Sequence, residues 1–300
     1  MSRISTAQIY SGAETNIREA REKERRSLDV ASTQKTLIRP SQDPVGWVTS
    51  RNLKDQIAAT STASKTTSLT RDFLSATENV FANVQESLGR THELLLSASN
   101  DPLSNNAGAM AAVLLDLKQI FGGVMANLNS QFNGRTLFGG YQTRALAFDG
   151  EGNFQADQGS IQVNIDKGLR VAANIPSGKA VLGEGSGDGI QLPALYQKII
   201  RAVEELDVLS IRETLPAITQ AIDQLSIGRA EIGAIQSQID RTLIKSGEEN
   251  ILAQERVAEV EEAIASVAFT NLVRDQNILK AALSTTEKML HENPLELLLK

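Results

Sequence analysis

The residue types that usually perform catalysis or bind metals are sparse in this chain of 300 residues. It has no Cys, which excludes disulfides, thiolate metal sites and a cysteine nucleophile. Its two histidines, His92 and His291, are too distant in sequence to form a local ligand pair, and a lone helical histidine is usually a surface or interface residue. Neither histidine therefore predicts a catalytic dyad.

Two other motifs suggest ligand chemistry only weakly. Asp149, Glu151 and Asn153 resemble the start of a calcium loop, but Ser160 stands where such a loop needs a bidentate Glu, so a tight turn is expected. Residues 183–189 have glycine at every second position, which is typical of a flexible linker and not of a dinucleotide-binding turn. We expect a protein that is not an enzyme, with no catalytic residue, cofactor or metal.

Composition excludes several classes of partner. The net charge of -6 is modest, so neither nucleic acid nor an anionic membrane surface is suggested. No stretch approaches a membrane-spanning run, and residues 1–10 lack the apolar segment of a secretory signal. Aromatic residues make up only 4% of the chain, which favours narrow helix-on-helix packing.

Two long heptad seams predict the helices that organise the chain. A heptad seam alternates four-residue and three-residue steps and lines the contact face of a coiled coil. Because the seams lie on either side of a Gly-rich middle, the chain is expected to fold back into an antiparallel rod. Their members are Leu53, Ile57, Thr60, Ser64, Thr67, Arg71, Leu74, Glu78, Phe81, Gln85, Leu88, His92 and Leu95, and then Ile211, Leu215, Ile218, Ile222, Leu225, Arg229, Ile232, Gln236, Ile239 and Leu243.

Start and stop signals place the N-terminal helices. Residues 6–37 carry a thin apolar stripe, and Pro40 and Pro44 end that helix and begin the next. The second helix should run over 44–97 without a break, because the Ser/Thr-rich stretch 58–70 contains no Gly or Pro. A third helix is predicted from the Asp-Pro signal at Asp101 to about Asn133.

The sequence pattern in the middle of the chain predicts β structure. Apolar residues alternate around Asp166-Lys167-Gly168, which predicts a hairpin, and residues 148–154 suggest another. Helix should resume near Leu192, and Ser210 with Glu213 has the spacing of a capping box. Since both seams lie outside residues 135–189, we expect the helices to fold without that segment.

The last helix, predicted over 247–291, is apolar on two faces. One intramolecular partner cannot cover both, so the remainder should contact other subunits. One face carries Val257, Val260, Ile264 and Val267, and the adjoining one carries Ala268, Leu272, Leu279 and Ala282. The predicted assembly interface comprises Ile9, Ile17, Val257, Val260, Ile264, Val267, Leu272 and Leu279.

These patterns predict a mainly α fold, an elongated antiparallel helical bundle with one small β-rich domain inserted in the middle. Residues 1–40 with 252–300 would form a terminal helical assembly domain. Residues 41–134 with 190–251 would form a helical rod domain, and 135–189 the β-rich domain.

Four segments resemble the bacterial flagellin family, and more closely its hook-associated members that join hook to filament. They are RPSQDPVG at 39–46, NGRTLFGGYQTRALAF at 133–148, RAEIGAIQSQID at 229–240 and LHENPLELLLK at 290–300. In combination they are specific, and with the helical ends they cover essentially the whole chain.

The resemblance implies a structural protein of the extracellular flagellum, exported through the type III channel without a cleavable signal peptide. Its implied partners are copies of itself in a ring, the hook-associated protein FlgK, flagellin and an export chaperone. Three alternatives stay open. They are flagellin itself, an unrelated coiled-coil scaffold, and an enzyme whose site would lie in residues 135–189.

Overall fold

The computed structural model describes residues 6–99, 107–157, 159–174, 181 and 189–291, the side chains of 6–10, 107 and 289–291 excepted. It is 74% helical, which confirms the mainly α prediction. The helices of the described part are α1 (Thr6–Thr33), α2 (Pro44–Ala98), α3 (Ala107–Leu128), α4 (Leu192–Glu204), α5 (Val208–Glu261) and α6 (Ala265–His291).

The chain divides into two compact units. The terminal unit comprises Met1–Ala59 and Glu248–Lys300, and the central unit comprises Thr60–Gly247. Helices α2 and α5 each contribute to both units. The three functional domains predicted from sequence stay a prediction.

In the central unit, α2 and α5 pack along the two predicted seams. Seam members 60–95 and 211–243 are buried or half-buried throughout. The polar members pair across the seam. Arg229 donates from Nη2 to Glu78 Oε1 at 2.6 Å and from Nη1 to Gln85 Oε1 at 2.9 Å, while Gln236 Nε2 donates to Ser75 Oγ at 3.0 Å. The earlier residue of α5, Arg229, bonds to the later residue of α2, Gln85, and Gln236 bonds to the earlier Ser75. The two helices are therefore antiparallel.

The Ser/Thr-rich stretch of α2 is helical, as predicted. Its threonine hydroxyls donate to carbonyls one turn earlier, as Thr67 Oγ1 does to the Ala63 oxygen at 2.9 Å. Thr67 itself is buried in the seam, and this local bond satisfies its hydroxyl there.

The expectation that no stretch could span a membrane needs correction. The segment Gly108–Leu128 of α3 is long and apolar enough by length and composition. In this fold, however, Met110, Leu117 and Val124 of that helix are buried in the core cluster. Length and composition alone are weak evidence for a membrane span, and these three residues pack in the protein interior.

Helix α4 completes this core through Tyr196. Its ring lies 5.5 Å from that of Phe121 on α3, and its hydroxyl pairs with Thr91 Oγ1 on α2 at 3.1 Å. Burial raises the pKa of Tyr196 to about 12, because it outweighs the Thr91 hydrogen bond, which acts to lower the pKa. The phenol is therefore neutral and serves packing.

Two antiparallel hairpins form the described β structure. Strands β1 (Gln131–Phe132) and β2 (Arg135–Thr136) are joined by Asn133-Gly134, both at positive φ, which is the pattern of a type I′ turn. Strands β3 (Gln162–Asp166) and β4 (Leu169–Ala172) form the predicted hairpin, with Gly168 at φ 78° in the turn. The hairpin predicted over 148–154 is reduced to one bridge between Phe148 and Phe154.

The β segment packs into the helical core, which argues against the expectation that the helices fold without it; that expectation stays a prediction. Phe138 is 1% exposed and stacks on Phe81 of α2, with the ring centroids 5.5 Å apart. Leu137, Ile165 and Val171 belong to the same buried cluster. Removing 135–189 would expose one side of α2.

Three predicted helix boundaries are also wrong. Helix α1 ends at Thr33, four residues early, because Lys35 bridges to Glu262 instead. Gly247 starts no helix, since α5 passes through it and ends at Glu261. The N-terminus of α5 is capped by Asp207 and not by a capping box at Ser210, whose hydroxyl instead donates to Asp207 Oδ2 at 2.5 Å.

The packing of Phe138 predicts a large stability loss on truncation. Phe138→Ala should lower the free energy of unfolding of the central unit by about 3–5 kcal/mol, because it leaves a cavity against Phe81. Chemical denaturation followed by circular dichroism measures this. Leu146→Ala, at an exposed position of the same segment, is the matched control and should cost under about 0.5 kcal/mol. Equal losses would show that the β segment is not core.

Candidate assembly interface

Helices α1 and α6 pack against each other in the terminal unit. Small residues lie at their contact, since Ala20 and Ala31 of α1 and Ala268 of α6 are buried. Ser27 Oγ donates to Asp275 Oδ2 at 2.6 Å across the pair. That hydrogen bond lowers the pKa of Asp275, and Arg274 lowers it further. The two effects together outweigh burial, which acts to raise the pKa. Asp275 is therefore charged and paired at neutral pH.

A buried carboxylate, Glu261, ties three segments of the terminal unit together. Its side chain is 8% exposed and accepts hydrogen bonds from Ser50 Oγ and Lys54 Nζ on α2, and from Lys35 Nζ at 3.3 Å. Burial acts to raise the pKa of Glu261, but the bonds from Lys54, Ser50 and Lys35 outweigh it and lower the pKa to about 2. The carboxylate is thus held charged by its partners.

The same position sets the break between α5 and α6. The Glu261 carbonyl accepts from the Thr36 backbone N–H at 2.7 Å, and the Gln34 carbonyl accepts from the Ala263 N–H at 2.8 Å. Gln34 adopts φ 56°, a left-handed conformation unusual for a non-glycine residue. Short strand-like pairing thus replaces helix at 262–264, and α6 begins afresh at Ala265.

The structure places the predicted interface residues in three different situations. Ile264 and Val267 are 72% and 51% exposed. The others with described side chains are half-buried, namely Ile17, Val257, Val260, Leu272 and Leu279. Ile9 lies on α1, and its side chain is outside the described ones.

Of the two apolar faces of the last helix, α1 covers one. Leu272, Leu279 and Ala282 share a stripe with the buried Ala268 and with Asp275, which bonds to α1. The surface formed by Ile264, just before α6, and Val267 has no such cover from the described residues. Sequence reasoning missed further exposed apolar residues of this unit, because single residues off a stripe give no periodic signal. They are Leu28, Val45, Val48, Ile251, Leu252, Phe269, Val273, Ile278 and Leu283.

A surface groove accompanies the open face. It has a volume of about 310 Å³ and is lined in part by Val30, Ile264, Val267 and Ala268. Thr36, Glu262 and Asn271 also line it, so the groove combines apolar and polar residues. Exposed apolar residues rimmed by polar ones are typical of protein–protein interaction sites. The groove and the residues around it form the candidate assembly interface.

A second cavity, of about 320 Å³, lies in the central unit between α2 and the β hairpins. Leu69, Phe73, Phe132 and Val163 make it mainly apolar, and Arg135 is the one charged residue of its lining. Within the described ranges, no group of three or more His, Cys, Asp or Glu residues could hold a metal ion. The cavity offers no acid–base pair to which catalysis could be assigned.

Comparison with known proteins connects this arrangement to the flagellum. Residues 4–143 match the family model of the bacterial flagellin N-terminal helical region. The chain is 24% identical to flagellin of Bacillus subtilis over 86% of each chain. It is also 24% identical to flagellar hook-associated protein 3 of Salmonella typhimurium over 96% of each chain.

A solved structure shows the same fold. The crystal structure of Bacillus cereus FlgL superposes with a TM-score of 0.59 at 19% identity, over 68% of this chain and 97% of that one. At this identity the likeness supports the fold alone.

The helical fold and these relatives define a structural protein of the bacterial flagellum, assembled outside the cell with other flagellar components. The chain is thus similar to the bacterial flagellin family, whose N-terminal helical region it matches over residues 4–143, and to the hook-associated proteins.

The Glu261 cluster predicts a pH-dependent stability of the terminal unit. Because the folded-state pKa is lowered, the stabilisation is complete above about pH 4.5 and is lost as the pH falls toward 2. Glu261→Gln should remove about 2 kcal/mol at pH 7 and flatten that acid limb, since hydrogen bonds to charged groups contribute about 1.5–3 kcal/mol each.

Urea unfolding of both proteins at a series of pH values, followed by hydrogen exchange at α6, measures the effect. Glu262→Gln, at the exposed neighbouring carboxylate, is the matched control. An unchanged acid limb in Glu261→Gln would contradict the cluster.

Proposed function

We propose that this protein forms the junction between hook and filament, assembling with copies of itself and contacting flagellin. The observation that carries the proposal is the uncovered apolar face around Ile264 and Val267. A helix pair that has already buried one face of α6 against α1 keeps a second apolar face exposed, and burial of that face in an assembly is favourable.

The same apolar surface is also the basis for the partners that we propose. A junction contacts different proteins on its two sides, which the resemblance gives as hook-associated protein FlgK and flagellin. Before assembly, exposed apolar helices need protection, which is the task of an export chaperone. We also propose type III export without a cleavable signal, and assembly as a ring.

Flagellin itself is the competing function, and its similarity to the chain supports it in part. The junction proposal is favoured because similarity to hook-associated protein 3 extends over 96% of both chains, against 86% for flagellin. The two functions differ in copy number. Quantitative mass spectrometry of isolated flagella should find this protein far rarer than the main filament protein, and comparable abundance would support flagellin.

Charges placed on the open face should block assembly without harming the monomer. Ile264→Asp with Val267→Asp introduces two carboxylates at exposed positions, so thermal stability should change little. In an assembled interface each unpaired buried charge costs several kcal/mol. Electron microscopy should show hooks without filaments, with flagellin released into the medium.

The choice of positions follows from the structure. Leu272, although predicted to belong to the interface, lies on the stripe that faces α1, so Asp there would disturb the monomer's own helix pair. Leu115→Asp with Leu146→Asp, at exposed positions of the central unit, is the matched control and should leave filaments normal. Normal filaments in the Ile264/Val267 variant would refute the proposed interface.

A further inference from the structure

Helix α1 carries an exposed basic stripe. Arg18, Arg21, Arg25 and Leu28 follow one another by steps of three, four and three residues, so they lie on one face of the helix. All four side chains are exposed. We call these four residues the arginine stripe.

The last turns of α5 carry an exposed acidic stripe with the same spacing. Here the leucine comes first along the chain, whereas in the arginine stripe it comes last. Leu252, Glu255, Glu259 and Glu262 follow by steps of three, four and three residues, and all four are exposed. Glu262 directly follows the end of α5 at Glu261. We call these residues the glutamate stripe.

The two stripes are complementary in one orientation. If the helices lie antiparallel with Leu28 against Leu252, then Arg25 faces Glu255 and Arg21 faces Glu259. A leucine contact flanked by opposite charges is the pattern by which paired helices select partner and orientation. The parallel register that would also pair Arg21 with Glu255 and Arg25 with Glu259 places Arg18 against Leu252, so it loses the leucine contact.

One copy of the chain does not make this contact. Helix α1 is paired with α6 through Ser27 and Asp275, and both stripes remain exposed. Among the described residues, Arg21, Arg25, Glu255 and Glu259 form no salt bridge. Arg18 pairs with Glu14 of its own helix at 2.8 Å, between exposed side chains, an arrangement that contributes little and can be exchanged.

We propose that the arginine stripe of one copy binds the glutamate stripe of a second copy, antiparallel and in the register given above. The proposal rests on the assembly function proposed above and names the surface that sets subunit order. Since the two stripes are different surfaces of one chain, the contact is heterologous. Repeated, it closes into a ring or continues as a helix, whereas a symmetric dimer would use the same surface twice.

Site-specific cross-linking tests the register. The chain has no Cys, so Leu28→Cys and Leu252→Cys can be made in separate full-length copies and expressed together. Any disulfide between positions 28 and 252 is then intermolecular. On isolated flagella, mild oxidation should give that disulfide, identified by mass spectrometry.

The control replaces Leu252→Cys with Ile251→Cys, one residue along and turned by about 100° around the helix. It should give at least roughly tenfold less cross-link, because the two Cβ atoms would not reach disulfide distance. Equal yields from the two pairs, or none from positions 28 and 252, would overturn the proposal.

Charge exchange provides a second measurement. Arg21→Glu with Arg25→Glu should abolish filaments, and so should Glu255→Arg with Glu259→Arg. Combining all four substitutions in one chain should restore them, because each pair is again opposite in charge. Restoration also shows that the substitutions permit folding and export, and failure to restore would contradict the pairing.

The two proposals can fail separately. If the wild-type protein is absent from isolated flagella, the proposed function fails. If it is present but the 28–252 disulfide does not form, the stripes face another flagellar protein and only the present inference fails.

Discussion

The terminal unit depends on one buried carboxylate. Glu261 would be costly to bury alone, and it is held charged because Lys54 and Ser50 of α2 and Lys35 after α1 all donate to it. Its carbonyl also accepts from Thr36, so one residue ends α5 and fixes the chain that leaves α1. The start of α6, and hence the α1–α6 pair, follows from this arrangement.

The consequence for function is a surface that the described part of the chain leaves open. Helix α1 contributes small alanines and Ser27, which fit closely against Ala268 and Asp275 and cover one face of α6. The face around Ile264 and Val267 stays exposed, and placing apolar residues there has a cost in water that only a partner relieves. In the central unit, by contrast, the large apolar seam residues from Leu74 to Leu95, and Phe138 of the β segment, are buried within the chain.

The sequence predicted the central helices well because a seam repeats its signal every seven residues. Even the polar members were predictable by position, although the pairing of Arg229 with Glu78 and Gln85 was not. Contacts between distant residues gave no periodic signal. Phe138 against Phe81 is such a contact, and so are the bonds of Glu261 to residues 207 to 226 positions away. The predicted interface residues likewise combined Val267 on the open face of α6 with Leu272 and Leu279 on the face toward α1, because spacing alone does not say which face α1 covers.

We propose that an open helical surface makes this protein a part of the junction between hook and filament. Immunogold labelling of isolated wild-type flagella, with antibody raised against the full chain, is the direct test. Gold should be confined to the boundary between hook and filament. Gold distributed along the whole filament, or absent from the flagellum, would contradict it.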